Sequence, residues 1–162
     1  MRNDEVLAAL KKNVVIPVIA IESAEDALPL ADALIEGGLP VAEITFRTAA
    51  AAAVIARIAK ERPQLVLGAG TILTKDNLAA AIDAGARFGV APGLNPAILA
   101  EANRRGLPFV PGVVTPSEVE QALELGATLL KFFPAEASGG IAMIKALSGP
   151  YGHTGVKFVP TG

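Results

Sequence analysis

One repeat of the pattern that decides the fold lies in residues 115–134, whose sequence is TPSEVEQALELGATLLKFFP. Thr115 and Glu118 have the spacing of a capping box, which marks the start of a helix. Gly126 provides the residue type that most readily takes the left-handed conformation at a helix end. The apolar residues 128–133 that follow are typical of a buried strand. The stretch therefore predicts a helix that leads directly into a strand.

The same order of strand, helix and glycine recurs about every 20 to 28 residues along the chain. Further helix starts are indicated at Ser23 and Asn95, and alanines 49–53 begin a helix rather than a low-complexity segment, because alanine is the best helix former. The predicted strands are Val14–Ala20, Val41–Phe46, Leu65–Gly70, Phe88–Ala91, Pro108–Gly112, Thr128–Phe133 and Val156–Pro160. Such βα units build a parallel sheet, either open and doubly wound or closed as a (β/α)8 barrel.

The positions of the polar residues distinguish the two architectures. A doubly wound sheet gathers its site at one switch point, whereas a barrel uses the carboxyl ends of many strands. Polar residues and a proline here lie near or just after the ends of several predicted strands: Glu43, Thr45, Arg47, Thr71, Pro92, Lys131 and Thr161. We therefore predict one α/β domain over residues 1–162, a (β/α)8 TIM barrel. Because seven strands and six helices are predicted, we expect it to be truncated after strand seven, with helix seven, strand eight and helix eight not present.

Composition excludes several classes of function. The 14 Lys and Arg residues against 16 Asp and Glu give a net charge of −2, so no basic surface is expected for a nucleic acid or a membrane. No apolar stretch approaches the roughly 18 residues of a spanning helix. The acidic start, residues 1–5, is unlike a signal peptide, and we expect a cytoplasmic protein. The absence of cysteine excludes disulfides, thiolate metal sites and cysteine nucleophiles.

The glycines in residues 68–70 and the single histidine do not indicate a cofactor or a catalytic group. The glycines in residues 68–70 lack the third glycine and the following acid of a dinucleotide-binding motif. A tight loop that offers Thr71 to a ligand is simpler. His153 is the only histidine and lies in the turn-rich residues 149–155, where we expect a surface side chain. Without a second histidine or a clustered acid pair, we predict no metal site.

Lys131 is the most unusual residue of the predicted strands. Leucines and phenylalanines surround it, and such surroundings favour the neutral amine that attacks a carbonyl carbon. The alternative is a strand-end lysine whose stem packs while its ammonium reaches water. Because side chains alternate along a strand, Lys131 shares a face with Leu129 and Phe133.

The same alternation places Glu43, Thr45 and Arg47 on one face of strand two. In a barrel covered by helices, this polar face is expected to point inward. One interpretation is a buried structural ion pair between Glu43 and Arg47. The functional interpretation makes Glu43 a proton shuttle and Arg47 an anchor for a substrate carboxylate. If Lys131 also points inward, the three groups converge in the outline of a Schiff-base site.

Seven segments in this order and spacing resemble the 2-keto-3-deoxy-6-phosphogluconate (KDPG) aldolase family. They are Val15–Ile19, Glu43–Thr48, Gly68–Thr71, Ala91–Gly93, Pro111–Val113, Lys131–Glu136 and Phe158–Gly162. Each segment is weak alone, but E-x-T-x-R-T together with K-F-F-P-A-E is specific. The resemblance covers essentially the whole chain.

The resemblance implies a trimeric (β/α)8 barrel and a class I aldolase that needs no cofactor and cleaves KDPG to pyruvate and glyceraldehyde 3-phosphate. Its implied site residues are Lys131 as Schiff-base lysine, Glu43 as general acid/base, Arg47 and Thr71 on the pyruvate carboxylate, Pro92 and Phe133 around the pocket, Thr161 against the substrate, and Gly162 at the start of a phosphate-binding loop.

Other functions remain open from the sequence. The substrate could be 4-hydroxy-2-oxoglutarate or the galactonate epimer of KDPG, with the same mechanism. A barrel that binds a phosphosugar or an oxoacid without cleaving it is an alternative of another class. A third is a catalytically inactive assembly module.

Overall fold

The structure is a computed structural model and describes residues 3–13 and 15–162. Its helices are α1 Asn3–Lys12, α2 Ala27–Glu36, α3 Ala51–Glu61, α4 Lys75–Asp83, α5 Pro96–Arg104, α6 Pro116–Glu124 and α7 Gly140–Tyr151. Its strands are β1 Val18–Ile19, β2 Val41–Thr45, β3 Val66–Gly70, β4 Phe88–Val90, β5 Phe109–Val110, β6 Gly112–Val113, β7 Leu129–Phe132 and β8 Lys157–Pro160.

All strand pairs are parallel, and neighbours in the sheet follow the order of the chain. One sheet has the order β1-β2-β3-β4-β5 and the other β6-β7-β8. Only Pro111 separates β5 from β6, and a proline has no N–H to continue a ladder of hydrogen bonds. The predicted strand at residues 108–112 is therefore two short halves of one barrel strand. The predicted α/β barrel class is confirmed.

The predicted boundaries agree best where the local signals are strongest. The capping box forms as expected: Thr115 Oγ1 accepts from the Glu118 N–H, and Glu118 Oε2 accepts from the Thr115 N–H. Gly126 has φ 83°, the left-handed conformation predicted after α6. β1 is shorter than predicted, and position 14 of that prediction lies outside the described residues. Ser23 caps a short 3-10 turn ahead of α2.

Helix α1 was not predicted and closes one end of the barrel. Val6 and Leu10, one turn apart on its buried face, pack in a single cluster with Val41 and Val66. These two valines begin β2 and β3, so α1 covers the amino ends of the strands. The opposite end, where functional residues of barrels lie, is left for the site.

The prediction of a turn-rich segment over residues 149–155 is partly wrong. Helix α7 continues through Pro150 to Tyr151, and a 3-10 turn covers Gly152–Thr154. Leu147 of α7 is buried in one cluster with Phe132 and Ala135, and Tyr151 at the end of the helix packs against the same cluster. No helix in residues 3–13 and 15–162 is long and apolar enough to cross a membrane.

The first and last strands border an open cavity. Within the described part of the chain, β1 pairs with β2 and β8 pairs with β7, and neither has a second partner. The cavity measures about 560 Å³ and is lined from both sides, by Val15 and Val18 on one and by Lys157 and Val159 on the other.

Candidate active site

Strand β2 turns its polar residues toward the barrel interior, as predicted. Glu43 is 4% exposed and Thr45 is 1% exposed. The alternate residues Ala42 and Ile44 belong to the core between strands and helices, which also contains Ile55 of α3. The alternation of side chains on β2 therefore places a carboxyl group inside the barrel.

Strand β7 places Lys131 in the same interior. The residue lies opposite Gly112 of β6 and Val159 of β8, and it is only 8% exposed. Leu129 joins the interior cluster, whereas Leu130 packs in the core under the helices. A lysine whose ammonium reaches freely into water does not fit this burial. The inward face of β7, which the sequence left open, is the one that carries Lys131.

Lys131 and Glu43 line one partly open cavity together with Thr161. This cavity has a volume of about 30 Å³, and its remaining walls are apolar side chains of the interior. Lys131 Nζ lies 5.2 Å from the centre of the Phe133 ring, which is within the range of a cation–π contact. The three polar groups thus meet in a small apolar cavity, where electrostatic interactions are strong.

The carboxyl group of Glu43 has an unusual environment. Its Oε1 is buried and has no hydrogen-bond partner in residues 3–13 and 15–162. Burial raises the pKa of Glu43 above its usual value, while the charges of Lys131 and Arg47 act in the opposite direction and only partly compensate. Buried oxygens are normally hydrogen-bonded. A carboxyl group with a raised pKa and an unpaired oxygen beside an amine is suited to carry protons.

Arg47 lies two residues beyond the end of β2 and stays next to the inward face of that strand. Strand β2 ends at Thr45, and Arg47 is exposed in the loop that follows. Its Nε donates a hydrogen bond to Thr45 Oγ1 at 3.1 Å. The alternative of a structural ion pair with Glu43 is therefore not formed, although the charge of Arg47 still lowers the pKa of Glu43. The guanidinium stands at the open end of the barrel.

Thr71 has a strained backbone at the carboxyl end of β3. Its φ is 57°, and it is the one non-glycine residue of the described chain with positive φ. A β-branched residue in this region costs of order 1–3 kcal/mol, and such strain is typical of functional sites. The hydrogen bonds from Phe46 N to Gly70 O (2.8 Å) and from Ile72 N to Val90 O (3.1 Å) fix the chain on both sides of it.

The remaining predicted residues follow the carboxyl ends of β4, β7 and β8. The carbonyl of Pro92 packs directly on the backbone of Gly112, which is opposite Lys131. The loop after β7 is tied to the end of β8, because Ala135 N donates to Thr161 O (2.9 Å) and Glu136 N to Gly162 O (2.7 Å). Gly162 lies beside the Phe133 ring.

The structure thus brings Glu43, Lys131 and Thr161 into one cavity. The other predicted residues do not line it and follow the carboxyl ends of their strands: Arg47, Thr71, Pro92, Phe133 and Gly162. His153 is exposed on its 3-10 turn, as predicted. Sequence reasoning missed Gly70, which touches the Glu43 carboxyl group. The available signal was a glycine at an inward position of β3 next to β2.

Comparison with protein families and curated relatives agrees with this geometry. The family model for KDPG and KHG aldolase matches residues 6–162. The 2-dehydro-3-deoxy-phosphogluconate aldolase of Treponema pallidum is 50% identical over 157 residues, which are 97% of this chain and 74% of that protein. The KHG/KDPG aldolase of Escherichia coli K12 is 43% identical over 148 residues, or 91% of this chain and 68% of that protein.

A solved structure agrees over the whole chain. The KDPG aldolase of Legionella pneumophila, with pyruvate captured at low pH as a covalent carbinolamine intermediate, superimposes with a TM-score of 0.91 at 42% identity. The match covers 100% of this chain and 76% of that one. A family model that spans nearly all residues, relatives at this identity and a shared barrel lead to one conclusion: the chain belongs to the KDPG and KHG aldolase family.

Proposed function

We propose that this chain is a class I aldolase that cleaves KDPG to pyruvate and glyceraldehyde 3-phosphate, with Lys131 as the Schiff-base lysine. The observation that carries the proposal is the shared cavity of Lys131 and Glu43, an amine next to a carboxyl group that has an unpaired oxygen. The family membership indicates the substrate class. The solved Legionella relative, captured as a carbinolamine of pyruvate, supports the same first step here.

The first half of the reaction forms the iminium. The neutral amine of Lys131 attacks the C2 ketone and gives a carbinolamine, which loses water. Glu43, because its pKa is raised, donates the proton that the leaving hydroxyl requires and is left as a carboxylate. The iminium is the electron sink of the next step, and the mechanism therefore requires no cofactor.

The second half breaks the carbon–carbon bond. The Glu43 carboxylate takes the proton of the C4 hydroxyl, the C3–C4 bond breaks, and its electron pair moves toward the iminium to form an enamine. Glyceraldehyde 3-phosphate leaves. Protonation of the enamine at C3 and hydrolysis of the resulting iminium release pyruvate and the free Lys131 amine.

The residues at the open end are proposed to bind the substrate. Arg47 and Thr71 hold the carboxylate of pyruvate, since a guanidinium offers paired donors to a carboxylate. Pro92 and Phe133 shape the pocket, Thr161 contacts the substrate in the cavity, and Gly162 contributes to binding of the phosphate. Arg47→Gln is expected to raise KM by about 10- to 100-fold, the effect of losing a charged hydrogen bond, with a smaller change in kcat.

Borohydride reduction in the presence of pyruvate tests the Schiff-base assignment. Mass spectrometry of a digest is expected to place the reduced pyruvate adduct on Lys131, and Lys131→Ala is expected to abolish both the adduct and cleavage. Lys145→Ala, at an exposed lysine of α7, is the matched control. An adduct that persists in Lys131→Ala contradicts the proposal. Pyruvate binding that is unchanged in that variant, with no aldehyde released by the wild type, favours a non-catalytic barrel.

Substrate preference, assembly and location complete the proposal. We propose KDPG as the preferred substrate, and kcat/KM measured on KDPG, its galactonate epimer and 4-hydroxy-2-oxoglutarate ranks the three. We propose a homotrimer in the cytoplasm. Light scattering of the purified protein is expected to give a mass three times that of one chain, and fractionation is expected to recover the protein with cytoplasmic enzymes.

A further inference from the structure

Strand β3 has an inward face with almost no side chains. Its inward positions are Val66, Gly68 and Gly70. The strand lies between β2 and β4, so side chains from both neighbours can reach over the two glycines. A side chain at Gly68 would overlap the ring of Phe88, and a side chain at Gly70 would overlap Oε1 and Cδ of Glu43 and lie 2.6 Å from its Cγ. The two glycines therefore leave room for two different neighbours.

The register explains why the carboxyl group reaches Gly70. Glu43 pairs with Gly68, and Thr45 pairs with Gly70. The Glu43 side chain leans along the strands toward their carboxyl ends, so that its carboxyl group lies over the backbone two residues further along β3. That direction is also toward the cavity that contains Lys131.

We infer that Gly70 is a positioning residue for the proposed reaction. Because it has no side chain, the Glu43 carboxyl group has room to lie against the backbone of β3, on the side of the Lys131 amine. This inference rests on the proposed function, since it concerns the acid/base of that reaction. The backbone of Gly70 has no positive φ, so alanine can adopt its conformation. A substitution there acts through the overlap with Glu43 and not through backbone strain.

Gly70→Ala tests the inference through the protons that Glu43 moves. A methyl group at this position displaces the carboxyl group into the cavity. We expect deuterium exchange into the methyl group of pyruvate, followed by NMR, to slow at least about 100-fold, the effect of misplacing a general acid/base by about 1 Å. Borohydride trapping on Lys131 is expected to reach the wild-type endpoint. Unchanged exchange in a folded Gly70→Ala protein overturns the inference.

The pH profile separates positioning from a loss of stability. The charged groups that face the Glu43 carboxyl group are Lys131 on β7 and Arg47 after β2. Displacement of the Glu43 carboxyl group toward either water or Lys131 stabilises its charged form. The acid limb, which is the fall of the deuterium-exchange rate at low pH, is therefore expected to move to lower pH. Gly68→Ala is the control, because the same change on the same strand face meets Phe88. It is expected to lower Tm and to leave the acid limb in place. An acid limb that does not move in Gly70→Ala contradicts the inference.

A double-mutant cycle based on Tm keeps the inference testable where Gly70→Ala folds poorly. In the Glu43→Ala background the methyl group has room, so the loss of Tm caused by Gly70→Ala is expected to be smaller than in the wild type. An equal loss in both backgrounds overturns the inference. Failure of the proposed function looks different, since the wild type itself would then show neither trapping on Lys131 nor exchange.

Discussion

Replacement of the buried acid by its neutral isostere is expected to stabilise the protein while it strongly lowers turnover. In Glu43→Gln the shape is kept and the charge is lost. Because burial raises the pKa of Glu43, the folded protein disfavours the carboxylate relative to the unfolded chain. The stabilising effect of the protonated acid is complete below the unfolded pKa of 4.5 and is lost as pH rises through the higher folded pKa.

The expected size follows from the linkage between protonation and folding. Each unit by which the folded pKa exceeds the unfolded one costs about 1.4 kcal/mol once the carboxyl group is ionised. For a domain of this size, each kcal/mol changes Tm by about 2–4 °C. Tm of Glu43→Gln is therefore expected to equal that of the wild type at acidic pH. As pH rises through the raised pKa, it is expected to become higher than the wild-type Tm and then to reach a plateau.

Thermal unfolding by circular dichroism from about pH 4 to about pH 8 measures this difference. Glu124→Gln, at an exposed carboxyl group of α6, is the control and is expected to stay within about 0.5 kcal/mol of the wild type at every pH. The reasoning is refuted if Glu43→Gln lowers Tm at neutral pH, or if the gain in Tm does not grow with pH. In the same samples, turnover is expected to fall about 10²- to 10⁴-fold.

Three further substitutions separate stability from function. Thr71→Gly is expected to relieve about 1–3 kcal/mol of backbone strain, which is more than the roughly 0.5–1 kcal/mol of additional chain entropy that a glycine loses on folding. Tm is therefore expected to rise, and KM is expected to rise as well because the threonine side chain is lost. A lower Tm contradicts the strain at this residue. Val6→Ala, in the helix that covers the amino ends of the strands, is expected to cost about 2 kcal/mol in urea unfolding with kcat unchanged, and a large fall in kcat would contradict the separation of the two barrel ends. Thr115→Ala removes the cap of α6 and is expected to cost about 1 kcal/mol in the same assay, against almost none for the neighbouring Ser117→Ala.

The sequence predicted those features whose physical cause is local. Strand alternation placed Glu43 and Lys131 inside the barrel, because the period of two in an extended chain follows from backbone geometry alone. The capping box at Thr115 and the left-handed Gly126 were equally predictable, since each depends on a few neighbouring residues. The family followed from motifs whose order and spacing are read directly from the chain.

Other features needed the tertiary structure. The sequence did not show that β2 ends at Thr45 and that Arg47 donates back to Thr45 Oγ1 from the loop, because a strand end depends on its pairing partner. Helix α1 was missed because the barrel interior that buries its apolar face is formed by residues distant in sequence.

The sequence by itself determined which chemical groups the site contains, an amine, a carboxyl group and a guanidinium, because residue type and strand period decide identity and face. Only the tertiary structure decided how they are placed relative to one another. The raised pKa of Glu43, its unpaired oxygen and its approach to Gly70 arise where β2, β3 and β7 meet across the barrel. Burial and register are properties of that assembled interior, and no single strand contains them.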